Sequence, residues 1–284
     1  MSKMHWRFPN AATPIGSRAY YVVRLAPASR RDDLALLFLW HQHVWAIANG
    51  CRDTGVARLK LDWWRSEIHA ATRLQSSHPL AQALGPCMQR HGVSEHSFAP
   101  LLDAVERDIL HRPFADLEHL NAHCSADMGT FSSVLALICG QSHGDAQATA
   151  RAAGSCIGLI DRLQYLGRDL RRARCYLPED ICGRYGLRAS DTESLFDHHR
   201  CRPVFADYAA AVQRRLQALP TPDMPRPLGL MLRIATVVLQ EIQAGDYPVL
   251  QSRLELSALR MLWLAWRTPG TRCALSNATQ RSGE

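Results

Sequence analysis

The sequence predicts a single all-α domain, and three observations support that prediction. Apolar residues recur at helical spacing from one end of the chain to the other. No stretch of the 284 residues alternates between apolar and polar residues as a half-buried strand would. No internal repeat or shift in composition marks a second domain. We expect one helical domain over residues 1–267, followed by a polar, flexible C-terminal tail over residues 268–284.

Two amphipathic helices are predicted in the first quarter of the chain. The segment 30–49 repeats apolar residues at helical spacing, and Gly50 follows it as a natural end. The segment 55–74 shows the same spacing. Its apolar residues are expected to face the core: Leu59, Trp63 and Ile68. The adjacent Trp63 and Trp64 are therefore interpreted first as core packing rather than as a platform for a ligand.

The rest of the chain continues in helices that short clusters of Gly, Pro and Ser separate. A helix that opens at Ser94 carries apolar residues through Ile109, and the segment 127–140 is apolar enough to be buried on every side. Four further helices are predicted: 145–169, 203–218, 226–244 and 250–266. The longest connector is the proline-rich segment 219–227.

Composition favours a globular protein with a sizeable core, because 47% of the residues are apolar and 21% are charged. The formal net charge of +7 comes almost entirely from arginine, since Lys3 and Lys60 are the only lysines. No basic stripe interleaved with aromatic residues accompanies that charge, so nucleic acid is not an expected partner. The charge remains compatible with an anionic surface or a diphosphate.

Cysteine usage and the lack of a long apolar segment predict the location of the protein. The nine cysteines form no C-x-x-C pair, which is typical of reduced thiols. The first residues lack the apolar stretch of a signal peptide. No segment reaches the roughly 20 apolar residues that span a bilayer. We expect a cytoplasmic protein that is either soluble or peripheral to the inner face of a membrane.

The stretch GLIDRLQYLGRDLRRARCYLP, residues 158–178, holds the side chains with the clearest chemical potential. Asp161, Tyr165 and Asp169 stand four apart, so they project from one face of the predicted helix. Asp161 and Asp169 are separated by about 12 Å of helical rise. They cannot share one magnesium ion, whose oxygen ligands lie at about 2.0–2.1 Å.

Several stretches, in a consistent order, resemble the squalene/phytoene synthase family, which condenses two prenyl diphosphates head to head. The segment 18–38 is similar to the family's opening helix, 59–71 to its Trp-Trp-Arg helix, and 239–267 to its last two helices. The resemblance extends over residues 17–267. It implies an all-α, isoprenoid-synthase-like helical bundle around a central apolar cavity, with metal-binding carboxylates at the cavity mouth.

Most of the aspartates that the resemblance places at that mouth are replaced in this chain. The family carries two motifs on facing helices, each with aspartates four apart. In the first motif, Trp45 and Asn49 stand where the family has aspartate. In the second, Tyr165 replaces the first aspartate and Asp169 retains the last. Asp53 follows the predicted helix end and is not expected to substitute for either.

Other positions around the motifs also depart from the family pattern. Gln164 stands in place of an arginine, Gly158 in place of a glutamine, and Asp161 in place of an asparagine. In the opening helix, Arg18 and Ala19 replace the family's Ser-Phe.

The residues that still match the family pattern are the candidates for binding a substrate or a metal ion. After Asp169, Arg174 and Tyr176 follow the family's Arg-x-Tyr-x-Pro pattern. Arginine binds phosphate through bidentate hydrogen bonds. The resemblance therefore implies a substrate-binding set: Arg24, Arg65, Arg171, Arg174 and Tyr176. Asp169 is the one candidate for catalysis and metal binding, with Mg²⁺ as the cofactor if the protein is active.

His198 and His199 are neighbours in the sequence and are expected to lie in a solvated loop.

Two functions remain open. The first is a non-catalytic or altered homologue that binds a prenyl lipid, a prenyl diphosphate or a protein partner, since some relatives with degraded aspartates are assembly factors for respiratory complex I. The second is an active prenyl transferase that condenses farnesyl or geranylgeranyl diphosphate. Metal ions neutralise the diphosphate when the carbon–oxygen bond breaks. The loss of three of four motif aspartates therefore favours the first function.

Overall fold

The computed structural model consists of helices and loops over the residues that it describes, which are 5–51, 53–220, 224–251 and 254–269. No strand occurs in those ranges, and the predicted all-α class is confirmed. Within them the α-helices are α1 Arg18–Arg24, α2 Arg31–Gly50, α3 Thr54–Thr72, α4 Pro79–His91, α5 Ala99–Ile109, α6 Leu117–Cys124, α7 Thr130–Ile138, α8 Gly144–Gln164, α9 Leu166–Leu170, α10 Glu179–Arg184, α11 His198–Gln217, α12 Arg226–Ala244 and α13 Ala258–Arg267.

α8 is the central helix of the bundle and packs against α6, α7, α11 and α12. Its small residues allow close approach: a Cβ on Gly154 would lie 2.2 Å from the carbonyl oxygen of Met128. On another side, Tyr208 of α11 donates its hydroxyl hydrogen to the carbonyl oxygen of Leu159 at 2.9 Å. The apolar core surrounds this helix and holds its polar end at a fixed position.

A single wide turn of π-helix, Ser125–Gly129, joins α6 to α7. Such turns are rare and are frequent at functional sites. The turn and α7 together form most of the predicted buried segment 127–140, and every residue of α7 except Leu137 is buried. Asp127 lies in the turn and is itself buried. The π turn therefore holds a carboxylate inside the bundle.

The predicted helix 145–169 is divided into α8 and α9 at Tyr165, whose φ and ψ angles are −100° and 11°. Beyond the break, the backbone N–H of Gly167 donates to the carbonyl oxygen of Val249 at 3.1 Å. A Cβ on Gly167 would lie 2.7 Å from that same oxygen. The helix breaks where Gly167 packs against Val249, which is distant in sequence. The local periodicity of the sequence does not reveal such a long-range contact.

Two later helices begin at different residues from those predicted. α11 begins at His198, because Asp197 caps it by accepting a hydrogen bond from the backbone N–H of Arg200 at 3.2 Å. The prediction of a loop at His198 and His199 is therefore wrong, although His199 is exposed to solvent as expected. α13 begins at Ala258 rather than at residue 250.

The inward face of α3 also differs from the prediction. Leu59 and Trp63 are 71% and 42% exposed, whereas Trp64 and Ile68 are buried. Apolar residues form two stripes on this helix, and spacing alone does not indicate which stripe faces the core. The expected burial was correct for Ile68 and wrong for Leu59 and Trp63.

Part of the predicted organisation lies outside the described residues. These parts are residues 270–284 of the expected tail, residues 221–223 of the connector, residues 252–253 of the predicted helix 250–266, and residues 1–4 and 52 of the expected domain. The boundary between the domain 1–267 and the tail 268–284 stays a prediction. Among the described helices, none combines the length and apolarity needed to cross a bilayer.

Candidate functional site

A cleft of about 200 Å³ lies between α2, the π turn, α8 and α9. Three carboxylates line it: Asp127, Asp161 and Asp169. Tyr165 lines the same cleft, so the predicted grouping of Asp161, Tyr165 and Asp169 is correct although the helix breaks between them. Each carboxylate has its own partners, which decide what the cleft can bind.

Asp127 is held by two side chains of α2. The indole Nε1–H of Trp45 donates to Asp127 Oδ1 at 2.8 Å, and His41 Nε2 lies 3.0 Å from the same oxygen. Burial by itself raises the pKa of Asp127, but the hydrogen bond to His41 and the charges of His41 and Arg162 outweigh it and hold the pKa below its ordinary value. Asp127 is therefore a buried anion with its acceptor positions in use.

Arg162 of α8 carries a fixed positive charge beside Asp127. Its guanidinium lies 3.6 Å from Asp127 Oδ2 and 3.4 Å from Asp108 Oδ2. The same group lies over two aromatic rings, 4.0 Å from the centroid of Tyr176 and 5.0 Å from that of Trp45. Such faces attract cations. Arg162 thus occupies the middle of a closed network rather than an open anion site.

Asp108 of α5 forms the inner end of that network. His123 Nε2 lies 3.2 Å from Asp108 Oδ1. Burial raises the pKa of Asp108, but the charges of Arg162 and His123 and hydrogen bonds from His123 and Tyr176 hold it below its ordinary value. Burial raises the pKa of Tyr176 as well, so its hydroxyl stays protonated at neutral pH.

Asp161 pairs with an arginine from the opening helix. Arg18 Nη1 of α1 donates to Asp161 Oδ1 at 2.9 Å, and both side chains are about three-quarters buried. These residues occupy two of the positions at which the sequence departs from the family pattern. The two departures are therefore in direct contact and compensate each other in charge.

Asp169 is the third carboxylate, and its two oxygens differ. Arg168 donates from Nε and Nη2 to Asp169 Oδ1, both at 2.9 Å. Asp169 Oδ2 is buried and has no hydrogen-bond partner among the described residues. Arg168 also lies over the Tyr165 ring at 4.4 Å. Asp169 Oδ2 is thus a buried carboxylate oxygen of the cleft that has no partner in the described part of the chain.

Two further cavities continue from the cleft into the bundle. An apolar cavity of about 200 Å³ shares His41, Met128 and Asp161 with the cleft, and Arg18 lines it too. A cavity of about 370 Å³ next to α12 and α13 shares Arg18 with the apolar cavity and Tyr165 with the cleft. The ion pair between Arg18 and Asp161 therefore separates the polar cleft from the apolar interior.

Of the predicted substrate-binding residues, Tyr176 lines the cleft and Arg174 borders it. Arg174 Nη1 donates to Asn49 Oδ1 at 2.8 Å, and Nη2 donates to the carbonyl oxygen of Ala48. This contact joins the loop after α9 to the end of α2. Asn49 is consequently engaged by an arginine at a position where the resemblance expects a metal ligand.

The other three predicted arginines do not line the cleft. Arg65 lies among carboxylates: Asp62 at 2.7 Å, Asp103 at 2.9 Å and Glu106 at 2.8 Å. Arg171 Nη1 donates to the carbonyl oxygen of Leu250 at 3.4 Å, and Arg24 is exposed in the last turn of α1. Their role in binding a substrate stays a prediction.

The sequence did not identify as site residues most of the side chains that form the cleft network, although Arg18 had appeared as a departure from the family pattern. They are Arg18, His41, Asp127, Arg162 and Arg168. Asp127 carried a weak signal, since it is a lone charge within a largely apolar helical segment. Arg162 directly follows Asp161 and gave no such signal. A buried charge usually has a partner, but sequence does not identify partners that lie on other helices.

A separate cluster outside the cleft brings together Asp33, Cys87 and His91, whose ligand atoms lie within 4.8 Å of one another. Arg30 Nη1 lies 2.7 Å from His91 Nδ1, and arginine only donates hydrogen bonds. His91 Nε2 therefore carries the proton that Asp33 Oδ2 accepts at 2.7 Å. A metal at Nε2 would need the other tautomer, so this cluster is better explained as a closed structural network.

The family model described as squalene/phytoene synthase matches residues 14–260. The chain belongs to the squalene/phytoene synthase family. The phytoene synthase of Arthrospira platensis is 20% identical, with 82% of each chain covered. The chloroplastic phytoene synthase 3 of Zea mays is 24% identical over 61% of this chain and only 42% of its own length. Complex I assembly factor 6 of Bos taurus is 20% identical over 87% of this chain and 78% of its own.

Solved structures of this family share the fold. A dehydrosqualene synthase with a bound ligand superimposes with a TM-score of 0.74 at 15% identity, covering 88% of this chain and 90% of that one. The squalene synthase of Alicyclobacillus acidocaldarius gives 0.70 at 20% identity, covering 83% and 92%. The isoprenoid-synthase-like bundle expected from the sequence is therefore confirmed.

Proposed function

We propose that the chain is a non-catalytic or altered member of its family that binds a prenyl lipid in its apolar cavity without a magnesium cluster. One observation carries the proposal. In the described part of the chain, each of the three carboxylates that line the cleft pairs with an arginine of the protein itself. Those ion pairs are Asp127–Arg162, Asp161–Arg18 and Asp169–Arg168. Carboxylates neutralised in this way are poor ligands for a divalent cation.

The residues of the cleft do not fit a magnesium cluster. Mg²⁺ demands nearly octahedral oxygen ligands at about 2.0–2.1 Å. Asp169 Oδ2 is buried without a hydrogen-bond partner among the described residues, while the Asn49 amide oxygen accepts from Arg174. Trp45 and Tyr165 fill the other two positions with bulky rings, and the Trp45 indole is hydrogen-bonded to Asp127. We therefore derive no step that depends on the metal.

Charge in the cleft supports a ligand with a small or uncharged head group. Three carboxylates pair with three arginines there, so those arginines are already neutralised and are not available to a multiply charged diphosphate. Behind the Arg18–Asp161 pair, the apolar cavity offers a surface for a hydrocarbon chain. Burial of that chain would stabilise the complex by about 25 cal/mol for each Å² removed from water.

The proposal is tested by titration calorimetry with farnesol and farnesyl diphosphate, each in magnesium and in a chelator. We expect the protein to bind at least one of the two compounds, with an affinity that magnesium does not change. Ala19 lines the apolar cavity, so Ala19→Trp should fill it and abolish binding. The control is Ala28→Trp, at an exposed position outside the cavities described above. Tight binding of farnesyl diphosphate that requires magnesium, or no binding of either compound, would overturn the proposal.

A second candidate is an active prenyl transferase, and the orphaned Asp169 Oδ2 is the observation that favours it. Asp169 would then be the catalytic or metal-binding residue, with Tyr176 lining the same cleft. In that case Asp169→Ala abolishes diphosphate release from farnesyl or geranylgeranyl diphosphate. A variant as active as the parent excludes this mechanism.

A protein partner is the remaining role within the proposal. The similarity to the bovine complex I assembly factor over most of this chain supports it. Copurification of the tagged chain with a respiratory complex I subunit, from cells that contain that complex, tests this role. Recovery of the chain without any such subunit would exclude it.

A further inference from the structure

Within the part of the chain that the structure describes, α13 presents to solvent an apolar stripe that no other element covers. Its outer residues are Leu259, Leu262, Trp263 and Trp266, which are 80%, 52%, 48% and 77% exposed. The spacing i, i+3, i+4, i+7 places them within about 100° of the helix circumference. Met261, Leu264 and Ala265 are buried on the opposite side. The inner face accounts for the packing of α13 on the bundle, and the outer stripe has no such role.

The outer stripe has the composition of a surface that lies in a bilayer interface. Tryptophan concentrates where the head groups meet the hydrocarbon, because its ring is apolar and its N–H is polar. Two tryptophans and two leucines in one stripe fit that boundary. A helix this short cannot span a bilayer, so its axis would lie along the surface.

Positive charge gathers at the C-terminal end of the stripe. The Arg267 guanidinium lies 4.9 Å from the centroid of the Trp263 ring. Arg233 Nη1 donates to the carbonyl oxygen of Arg267 at 2.9 Å. Among the described residues, neither arginine has a carboxylate within salt-bridge distance. Arginines that are free of carboxylates and next to an exposed apolar stripe complement the phosphates of anionic lipids.

We propose that the outer stripe of α13 docks onto the surface of an anionic lipid bilayer, with Arg233 and Arg267 against the lipid phosphates. The proposal concerns the outside of α13 and does not depend on the ligand of the cleft. α13 also contributes Ala258 and Met261 to the lining of the cavity of about 370 Å³. The docked helix would border both the bilayer and the interior of the protein.

Vesicle cosedimentation of the full chain tests the proposal, using phosphatidylcholine vesicles with and without phosphatidylglycerol. The parent should partition onto the anionic vesicles, and added salt should weaken that partition because it screens the arginines. Leu259→Ser with Trp266→Ser removes the two most exposed members of the stripe. We expect this double variant to partition at least about tenfold more weakly, since each side chain contributes through its buried apolar area.

The matched control is Leu59→Ser with Trp63→Ser on α3, which removes the same residue types from another exposed surface. It should partition like the parent. Melting curves establish that both double variants stay folded. Failure of the parent to bind anionic vesicles, or an equal loss in both double variants, would overturn the proposal. So would a self-associated parent that the α13 variant disperses without any vesicle binding, because a second copy would then cover the stripe.

Discussion

Asp127 is the residue that joins three elements of the cleft. It lies in the π turn, and it contacts His41 and Trp45 of α2 as well as Arg162 of α8. A buried carboxylate is costly unless its acceptors are used. The partners of Asp127 therefore stabilise the fold, and one of them, Trp45, stands at a position where the resemblance places a metal ligand in other family members.

Replacing Trp45 by Phe removes one donor from this carboxylate and keeps an aromatic ring beneath Arg162. We expect the free energy of unfolding to fall by about 1–3 kcal/mol, because a buried acceptor loses its hydrogen bond. Urea denaturation measures the change. Trp63→Phe is the control, because this half-exposed ring should leave stability within about 0.5 kcal/mol. Equal effects of the two substitutions would contradict the role given to the Trp45 indole.

Acid should destabilise the protein partly through Asp127. Burial raises the pKa of Asp127, but its hydrogen bond to His41 and nearby positive charges lower the pKa by a larger amount. The pKa in the folded protein therefore lies below the unfolded value of about 3.9. The stabilisation is complete above the unfolded pKa and is lost as the pH falls through the folded one. Unfolding free energies measured between about pH 5 and pH 3 should therefore decrease towards low pH.

Asp127→Asn cannot titrate, so it should flatten part of that pH dependence. Asp108 and Glu67 also have lowered pKa values, so these and other carboxylates should retain the rest of the slope. A variant with the parent's full slope would show that Asp127 titrates at its ordinary value in the folded protein.

At the scale of whole elements, the contact between α8 and the π turn sets the position of Asp127. A Cβ at Gly154 would lie 2.2 Å from the Met128 carbonyl oxygen and 2.5 Å from Ser132 Oγ. Gly154→Ala should therefore cost about 1–3 kcal/mol of unfolding free energy, because backbone atoms must shift. Chemical denaturation measures this loss.

Gly144→Ala is the matched control on the same helix, since nothing lies within 4 Å of a Cβ there. It should be neutral or stabilise the protein by up to about 1 kcal/mol, through a less flexible unfolded chain. If both substitutions destabilise the protein equally, the close approach of α8 to the π turn is not the reason why position 154 requires glycine.

Sequence predicted helical elements better than their interruptions and their inward faces. The bounds of α2 and α12 were close to the prediction because their apolar pattern and end signals agree. The break at Tyr165 was missed, since Gly167 packs against Val249 from beyond α12. On α3, two apolar stripes compete, and only tertiary packing selects the one that contains Trp64.

At the scale of the whole molecule, the family fold was predictable and the chemistry of the cleft was not. The order of family-like segments predicted the bundle, which tolerates low sequence identity because packing needs only apolar residues of suitable size. The cleft depends on pairs from separate helices. Arg18 and Asp161 both appeared as departures from the family pattern, yet their contact across 143 positions became evident only in three dimensions.

Release of diphosphate from farnesyl and geranylgeranyl diphosphate in magnesium tests the central claim most directly. That claim is that arginines of the protein neutralise the carboxylates of the cleft and leave no magnesium cluster for ionisation. We predict release no faster than in a magnesium blank without protein, both for the parent and for Asp169→Ala. Release by the parent that saturates with substrate and disappears in Asp169→Ala would contradict the account.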